Sequence, residues 1–445
     1  MKVFFVSLGC DKNLVDTEVM LGVLHAHGYT FCDDESEADV IVINTCCFIH
    51  DACEESINTI LEMAAYKESG SCKALIVAGC LGTRYASRMH EELPEVDAIL
   101  SVTAYDRIAE IIENVLNGRK QDIIADPDAM PLPETKRILT GGGHYAYMKI
   151  AEGCNKRCTY CIIPSMRGAY RSVPMDRLIK EAEDLAEKGV SELILVAQET
   201  TLYGTDLYGY KALPNLLRRL CEIEGLSWIR LLYCYPEEID EALIEVIRDE
   251  KKICHYIDMP IQHASDDILR RMGRKTTRSD LENLIRKLRS EIPDICIRTT
   301  LITGFPGETE ADHEMVLDFV ERMRFDRLGV FTYSREEGTA AFDFDGQVDE
   351  ETAAKRRDEI MQLQQGISRG KGQEMIGRRL QAFVEGRMVD EDALVARTYR
   401  DAPDVDGYVF LQTEREFMSG TLVDVVITGA NEYDLTGECL DESPQ

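Results

Sequence analysis

Apolar, β-branched runs of strand length punctuate the first 125 residues: VFFVSLG (3–9), DVIVINT (39–45) and ALIVAG (74–79). Between them lie stretches of helical character, NLVDTEVMLGVLHAHG and DACEESINTILEMAAYKESG. Strands alternating with helices predict a parallel α/β sheet. Residues 126–143, DPDAMPLPETKRILTGGG, hold three prolines and three consecutive glycines and read as a linker. Beyond them the alternation resumes, with candidate strands at 145–151, 192–198, 228–235, 255–261, 296–303 and 327–333. Six β/α units fit an open or partial (β/α)6 barrel, and a doubly wound sheet is the competing arrangement. A charged helix, VDEETAAKRRDEIMQLQQGISRGKGQEM, leads out of this region. After it the runs LQAFVEGRM, ALVARTY, GYVFLQ and TLVDVVITGA, set between turn signals, predict a small antiparallel β-barrel of OB-like type. The expected fold class is therefore α/β with a small C-terminal β-barrel, and with domains at 1–125, 144–372 and 373–445 and a linker at 126–143.

Composition narrows the function classes. No long apolar run occurs, and the start, MKVFFVSLGCDKN, lacks the apolar core and small-residue cleavage site of a secretory leader. A cytoplasmic protein with no membrane association is expected. Fifteen cysteines are then unlikely material for disulfides, because that compartment is reducing; metal or cluster binding suits some of them and burial the rest. The formal net charge of −31 argues against a broad nucleic-acid-binding face and fits attraction to a basic partner.

The strongest chemical signal is CNKRCTYC, which places Cys154, Cys158 and Cys161 on one short loop directly after a predicted strand. A structural zinc site closes with four ligands, usually as two pairs, and no second pair is present. Three thiolates that leave one position open suit a 4Fe–4S cluster whose fourth iron can hold a cofactor. The C-x3-C-x2-C spacing with an aromatic residue, Tyr160, before the last cysteine resembles the radical S-adenosylmethionine (SAM) superfamily. Its place at a strand's C-terminal end is where barrel enzymes put their chemistry. Further cofactor contacts are expected where other strands end. Gly304 and Gly307 lie in TGFPGE, which resembles the superfamily's glycine-rich SAM motif. Gln198 and Glu199 lie in AQETTLYG, and Gln262 and His263 in IQHAS.

A second cysteine set follows from topology. Cys10, Cys46 and Cys80 each follow one of the three N-terminal strands, 36 and 34 residues apart, about one β/α unit each. In a parallel sheet the C-terminal strand ends share one edge, and ligands bind outside it. Three thiolates can converge there. Cys47 is expected to be structural, as are Cys32, Cys53, Cys72, Cys221, Cys234, Cys254, Cys296 and Cys439.

Together these features resemble the radical SAM methylthiotransferases along the whole chain: a three-cysteine N-terminal domain, a radical SAM domain and a C-terminal TRAM module. The resemblance implies two 4Fe–4S clusters. The one on Cys154, Cys158 and Cys161 would cleave SAM to a 5′-deoxyadenosyl radical, and an auxiliary one on Cys10, Cys46 and Cys80 would hold the sulfur to be inserted. It implies two SAM molecules, one as methyl donor and one as radical source. It names no catalytic residue besides these cysteines and leaves any further one open, and it implies an electron donor such as flavodoxin or ferredoxin. SLGCDKNLVDTE (7–18) and IQHASDDILRRMGR (261–274) resemble the subfamily that modifies an aspartate β-carbon of small-subunit ribosomal protein twelve, free or assembled. Enzymes that modify transfer RNA typically read Gln-Met-Asn where this chain has DKN. From Gln373 to Gln445, sixteen acidic residues face six arginines and no lysine, a net of −10, which suits a basic protein better than RNA. A transfer-RNA methylthiotransferase and a non-catalytic iron–sulfur or zinc scaffold on a ribonucleoprotein are the alternatives.

Overall fold

The computed structural model describes residues 1–440 apart from 132, 389–391 and 414. Residues 441–445, the end of the expected C-terminal domain, lie outside the described residues. The chain forms two compact units: Met1–Thr140 with Ala151–Val173 and Ser334–Phe342, and Gly141–Ile150 with Pro174–Tyr333 and Asp343–Gln445.

In the first unit, β1 (Lys2–Ser7), β2 (Thr30–Phe31), β3 (Val40–Thr45), β4 (Ala74–Ala78) and β5 (Ala98–Ser101) form one sheet in the order β2-β1-β3-β4-β5. Every pairing is parallel. The three expected strands are thus the sheet's centre, and two short strands extend it. β3 and β4 are buried on both faces, which is why they read as unbroken apolar runs. One face packs on the helices Asp11–Ala26 and Ile108–Leu116, the other on His50–Ala64. Part of the segment read as a linker is packed: Ile138 donates its N–H to the Glu18 carbonyl at 3.1 Å, and Arg137 lies 3.2 Å from the Glu18 carboxylate.

β6 (Tyr145–Lys149) belongs to the second unit, whereas β7 (Ala151–Glu152) and β8 (Arg171–Ser172) form a short antiparallel pair in the first. This pair closes the base of the loop that carries Cys154, Cys158 and Cys161.

The second unit continues with β9 (Glu192–Val196), β10 (Trp228–Leu231), β11 (Tyr256–Asp258), β12 (Cys296–Thr303) and β13 (Arg327–Thr332). They form two parallel three-stranded sheets, β10-β9-β6 and β11-β12-β13. A parallel bridge at Ile229 and Ile253 joins them next to β11. The six strands with intervening helices match the expected open (β/α)6 array.

A long helix, Glu350–Gln373, leads to β14 (Arg379–Arg387), β15 (Ala393–Thr398), β16 (Val409–Gln412), β17 (Leu422–Ala430) and β18 (Leu435–Cys439), which close a barrel in the order β14-β15-β16-β18-β17. The expected small antiparallel barrel is present, with four antiparallel seams and one parallel seam, between β16 and β18. β17 lies between them in sequence and pairs with β14 and β18, so β18 returns in the direction of β16.

This barrel docks on the N-terminal ends of the parallel strands. Glu192, first in β9, accepts from Arg230 Nε at 2.7 Å and from Arg397 Nη2 at 2.8 Å, with all three side chains out of solvent. Burial alone would raise the Glu192 carboxyl, but Arg397 and Arg230 overcome it and hold its pKa low. Trp228 meets Phe383 edge-on at 4.5 Å, and Tyr256 Oη donates to Asp406 at 2.7 Å. The opposite ends of the strands are left for chemistry.

Candidate functional site

All six cysteines singled out by pattern lie in the first unit. β1, β3 and β4 are neighbours in the sheet, and Cys10, Cys46 and Cys80 follow their C-terminal ends. Pairing continues past β1, with Leu8 N–H donating to the Asn44 carbonyl at 2.9 Å. Gly9 then turns the chain at φ +87°, and a Cβ there would sit 2.6 Å from Cys46 Cβ and 2.9 Å from its Sγ. Glycine at position 9 is therefore what lets Cys46 lie against the turn that carries Cys10. Cys10 stands at the N-cap of the helix Asp11–Ala26. Burial pushes the Cys80 thiol up to about 12; Arg167 opposes the shift, and the nearby Cys46 and Cys10 add to it. Cys46 is likewise raised, first by burial. Cys47 turns the other way, its Sγ 3.4 Å from Met166 Sδ in the apolar core.

Asn13 ties this edge together. Its Nδ2 donates to the carbonyls of Leu8 and Thr45, each at 3.0 Å, so one amide holds the turns before Cys10 and Cys46. Its Oδ1 accepts from Arg167 Nη2 at 2.7 Å and lies 4.0 Å from Cys80 Sγ. Arg167 also pairs with Glu152 at 2.9 Å and approaches Cys80 Sγ at 3.8 Å. Asn13, Asp16, Glu152 and Arg167 were not singled out from sequence. Lys12, Asn13, Asp16, Thr17 and Glu18, soon after Cys10, are polar yet buried, which the sequence pattern does not record.

Cys154, Cys158 and Cys161 lie on the loop between β7 and β8, with Arg157 in the left-handed region at φ +53°. Cys154 N–H donates to the Gly168 carbonyl at 3.2 Å and Cys161 N–H to the Cys158 carbonyl at 3.0 Å, folding the loop on itself. Burial pushes the Cys161 thiol up to about 12, reinforced by the nearby Cys158 and Cys154. Each set thus brings three thiols within electrostatic reach, and burial disfavours the bare thiolate at Cys46, Cys80 and Cys161. That donor chemistry fits an iron–sulfur cluster, whose irons neutralise the charge and release the protons. Among the described residues no group of three such side chains closes on a single ion; three cysteines on three irons of one cluster need not do so.

The remaining expected cofactor contacts fall in the second unit, apart from Tyr160. Gln198, just beyond β9, has both amide atoms buried without a hydrogen-bond partner among the described residues, and so does Gln262 Oε1. Gln262 adopts φ +75° and bridges to Leu301. Glu199 is fully buried and accepts from Thr201 N–H at 2.9 Å, holding its own turn. His263 Nδ1 accepts from Ser265 N–H at 2.9 Å. Gly304 has a structural reason to be glycine: at φ +74° its Cβ would lie 2.4 Å from Ala353 Cβ. The Glu308 carboxylate accepts the N–H groups of Gly304 and Phe305 at 2.6 and 3.1 Å and so shapes this turn.

Comparison with known proteins agrees with this architecture. Residues 148–320 match the Radical SAM superfamily, residues 2–101 the Uncharacterized protein family UPF0004, and residues 376–440 the TRAM domain. A solved radical S-adenosylmethionine methyltransferase, TsrM from Kitasatospora setae, is similar in fold, with a TM-score of 0.58 at 15% identity over 76% of each chain. The cobalamin-dependent S-adenosylmethionine radical enzyme OxsB gives 0.52 at 13% identity, over 82% of this chain and 56% of that one. Fold and domain matches define a radical SAM enzyme with an N-terminal α/β domain and a C-terminal TRAM barrel. The chain is 59% identical to ribosomal protein uS12 methylthiotransferase RimO of Lachnoclostridium phytofermentans, over 98% of this chain and 99% of that one. It is 49% identical to the protein of that name from Acetivibrio thermocellus, over 99% of each. The chain belongs to the uS12 methylthiotransferase family, which uses SAM and 4Fe–4S clusters.

Proposed function

We infer that this chain transfers a methylthio group to the β-carbon of an aspartate in small-subunit ribosomal protein uS12. The observation that carries this reading is whole-length identity of up to 59% to uS12 methylthiotransferases, together with two three-thiol sets in one compact unit. Cys154, Cys158 and Cys161 are proposed to hold the cluster that binds SAM, and Cys10, Cys46 and Cys80 the auxiliary cluster. When bound, these groups supply one-electron cleavage of SAM and the sulfur to be transferred; the protein's part is to hold and shield them. Gln198 and Gln262 are the best supported SAM contacts, because their buried amide atoms lack partners among the described residues. Tyr160, Glu199, Gly304 and Gly307 are proposed with less specific support, Glu199 and Gly304 being engaged in local packing. The functional domains proposed are 1–125, 144–372 and 373–445, with 126–143 between them.

No described helix is long and apolar enough to cross a membrane. A cytoplasmic location is proposed, with an electron donor such as flavodoxin or ferredoxin. The test is mass spectrometry after incubating reconstituted enzyme, SAM and a reductant with uS12 and with transfer RNA in parallel. One methylthio group on uS12 is expected. Modified transfer RNA beside unmodified uS12 would overturn the substrate.

A further inference from the structure

Arg167 is more than a buried countercharge. Its residue is 1% exposed, and it lies six residues beyond Cys161 in the first unit. Nη1 donates to both Glu152 oxygens at 2.9 and 3.0 Å, and Nη2 donates to Asn13 Oδ1 at 2.7 Å. Both terminal nitrogens lie 3.4 Å from Asp16 Oδ2. Nη2 is also 3.8 Å from Cys80 Sγ. One carboxylate would suffice to neutralise a guanidinium. Here the fork is shared between carboxylates, a cysteine sulfur and the amide that holds the turns of Cys10 and Cys46. Its partners also come from two sources. Glu152 and Arg167 flank the Cys154–Cys161 loop, whereas Asn13, Asp16 and Cys80 belong to the sheet edge.

We propose that Arg167 is a positioning residue for the auxiliary cluster: it fixes Cys80 and, by directing a charged N–H at that sulfur, favours the reduced cluster. The proposal rests on the reading that Cys10, Cys46 and Cys80 hold that cluster. Reduction adds one electron, and no bond is made or broken. The added negative charge is stabilised by a cation and N–H groups near the cluster sulfurs and opposed by nearby carboxylates. In a buried site neither effect is damped by water. Arg167 and Glu152 therefore act in opposite directions on the same equilibrium, which a purely structural role for either would not produce.

The experiment uses the full chain carrying Cys154→Ala, Cys158→Ala and Cys161→Ala, reconstituted anaerobically so that only the N-terminal set can hold a cluster. Reduction by dithionite is followed by electron paramagnetic resonance at controlled potential. Arg167→Gln is expected to shift the reduction equilibrium at least tenfold toward the oxidised cluster, about 59 mV for a one-electron couple. Glu152→Gln is expected to shift it in the opposite sense, and Arg167→Lys to restore part of the loss. Equal potentials in the Gln variants and their parent would overturn the proposal. If Arg167→Gln retains no cluster, Glu152→Gln decides: a shift toward reduction supports the proposal, and no shift overturns it. A parent that binds no iron would instead overturn the ligand reading beneath it.

Discussion

The two cysteine sets are built in opposite ways. Cys154, Cys158 and Cys161 come from eight consecutive residues, and their loop is closed by the two-residue strands β7 and β8. Cys10, Cys46 and Cys80 come from three neighbouring strands and meet only because a parallel sheet aligns its C-terminal ends. The first set is a local motif, carried on one loop. The second exists only with the sheet, with Gly9, and with an interior amide that satisfies two turns at once. Damage to the polar interior should therefore strike the second set first.

The largest effect is expected at the local set. Cys154→Ala, Cys158→Ala or Cys161→Ala should lower 5′-deoxyadenosine formation by at least about a hundredfold, since losing a ligand exceeds the loss typical of an outer-sphere partner. Undiminished cleavage in any of them would remove the loop from the chemistry. Next in size is a change that should touch neither set. Glu192→Gln leaves Arg230 without its buried countercharge and Arg397 with Glu385 alone, and should lower unfolding stability by about 3 kcal/mol or more, with iron content unchanged. Chemical denaturation beside iron analysis reads both.

Asn13→Ala sharpens the contrast further. It strips a donor from the buried Leu8 and Thr45 carbonyls and an acceptor from Arg167, a loss of about 2–4 kcal/mol. Iron should fall from about eight per chain toward about four, while SAM cleavage persists. Equal loss of both activities would show that the sets are not separable. The smallest effect concerns the substrate. Rim charges on the acidic barrel act mainly on encounter, so uS12 modification should fall a few-fold as salt shortens the screening length from about 10 Å at 0.1 M to about 3 Å at 1 M. SAM cleavage without substrate should not follow.

Much of this was legible in the sequence because apolar period and cysteine spacing are local or topological signals. β3 and β4 are mostly apolar runs bounded by turns, and they and β12 stand where their patterns predict. β2, β5 and β18 went unread: β2 and β5 have two and four residues, and β18, LTGEC, mixes polar positions with a central glycine. The parallel seam of the C-terminal barrel depends on which strand β18 meets, which no local pattern records. The same holds for Arg167, whose partners lie up to 154 residues away. Its identity was visible in sequence; the convergence of Asn13, Asp16, Glu152 and Cys80 on it was not. Gly304 is instructive in the other sense. A motif glycine expected to admit a cofactor is already required by Ala353 on the long helix Glu350–Gln373.

The division of labour between the two sets is tested most directly by one variant, Cys10→Ala with Cys46→Ala and Cys80→Ala, assayed with SAM, reductant and uS12. Both products are measured in the same reaction: 5′-deoxyadenosine by chromatography and the methylthio group by mass spectrometry of uS12. Continued 5′-deoxyadenosine formation with no methylthiolated uS12 is expected, because the radical source is intact and the sulfur has no carrier. Methylthiolated uS12 from this variant would contradict that division and leave the three N-terminal cysteines with a structural role only.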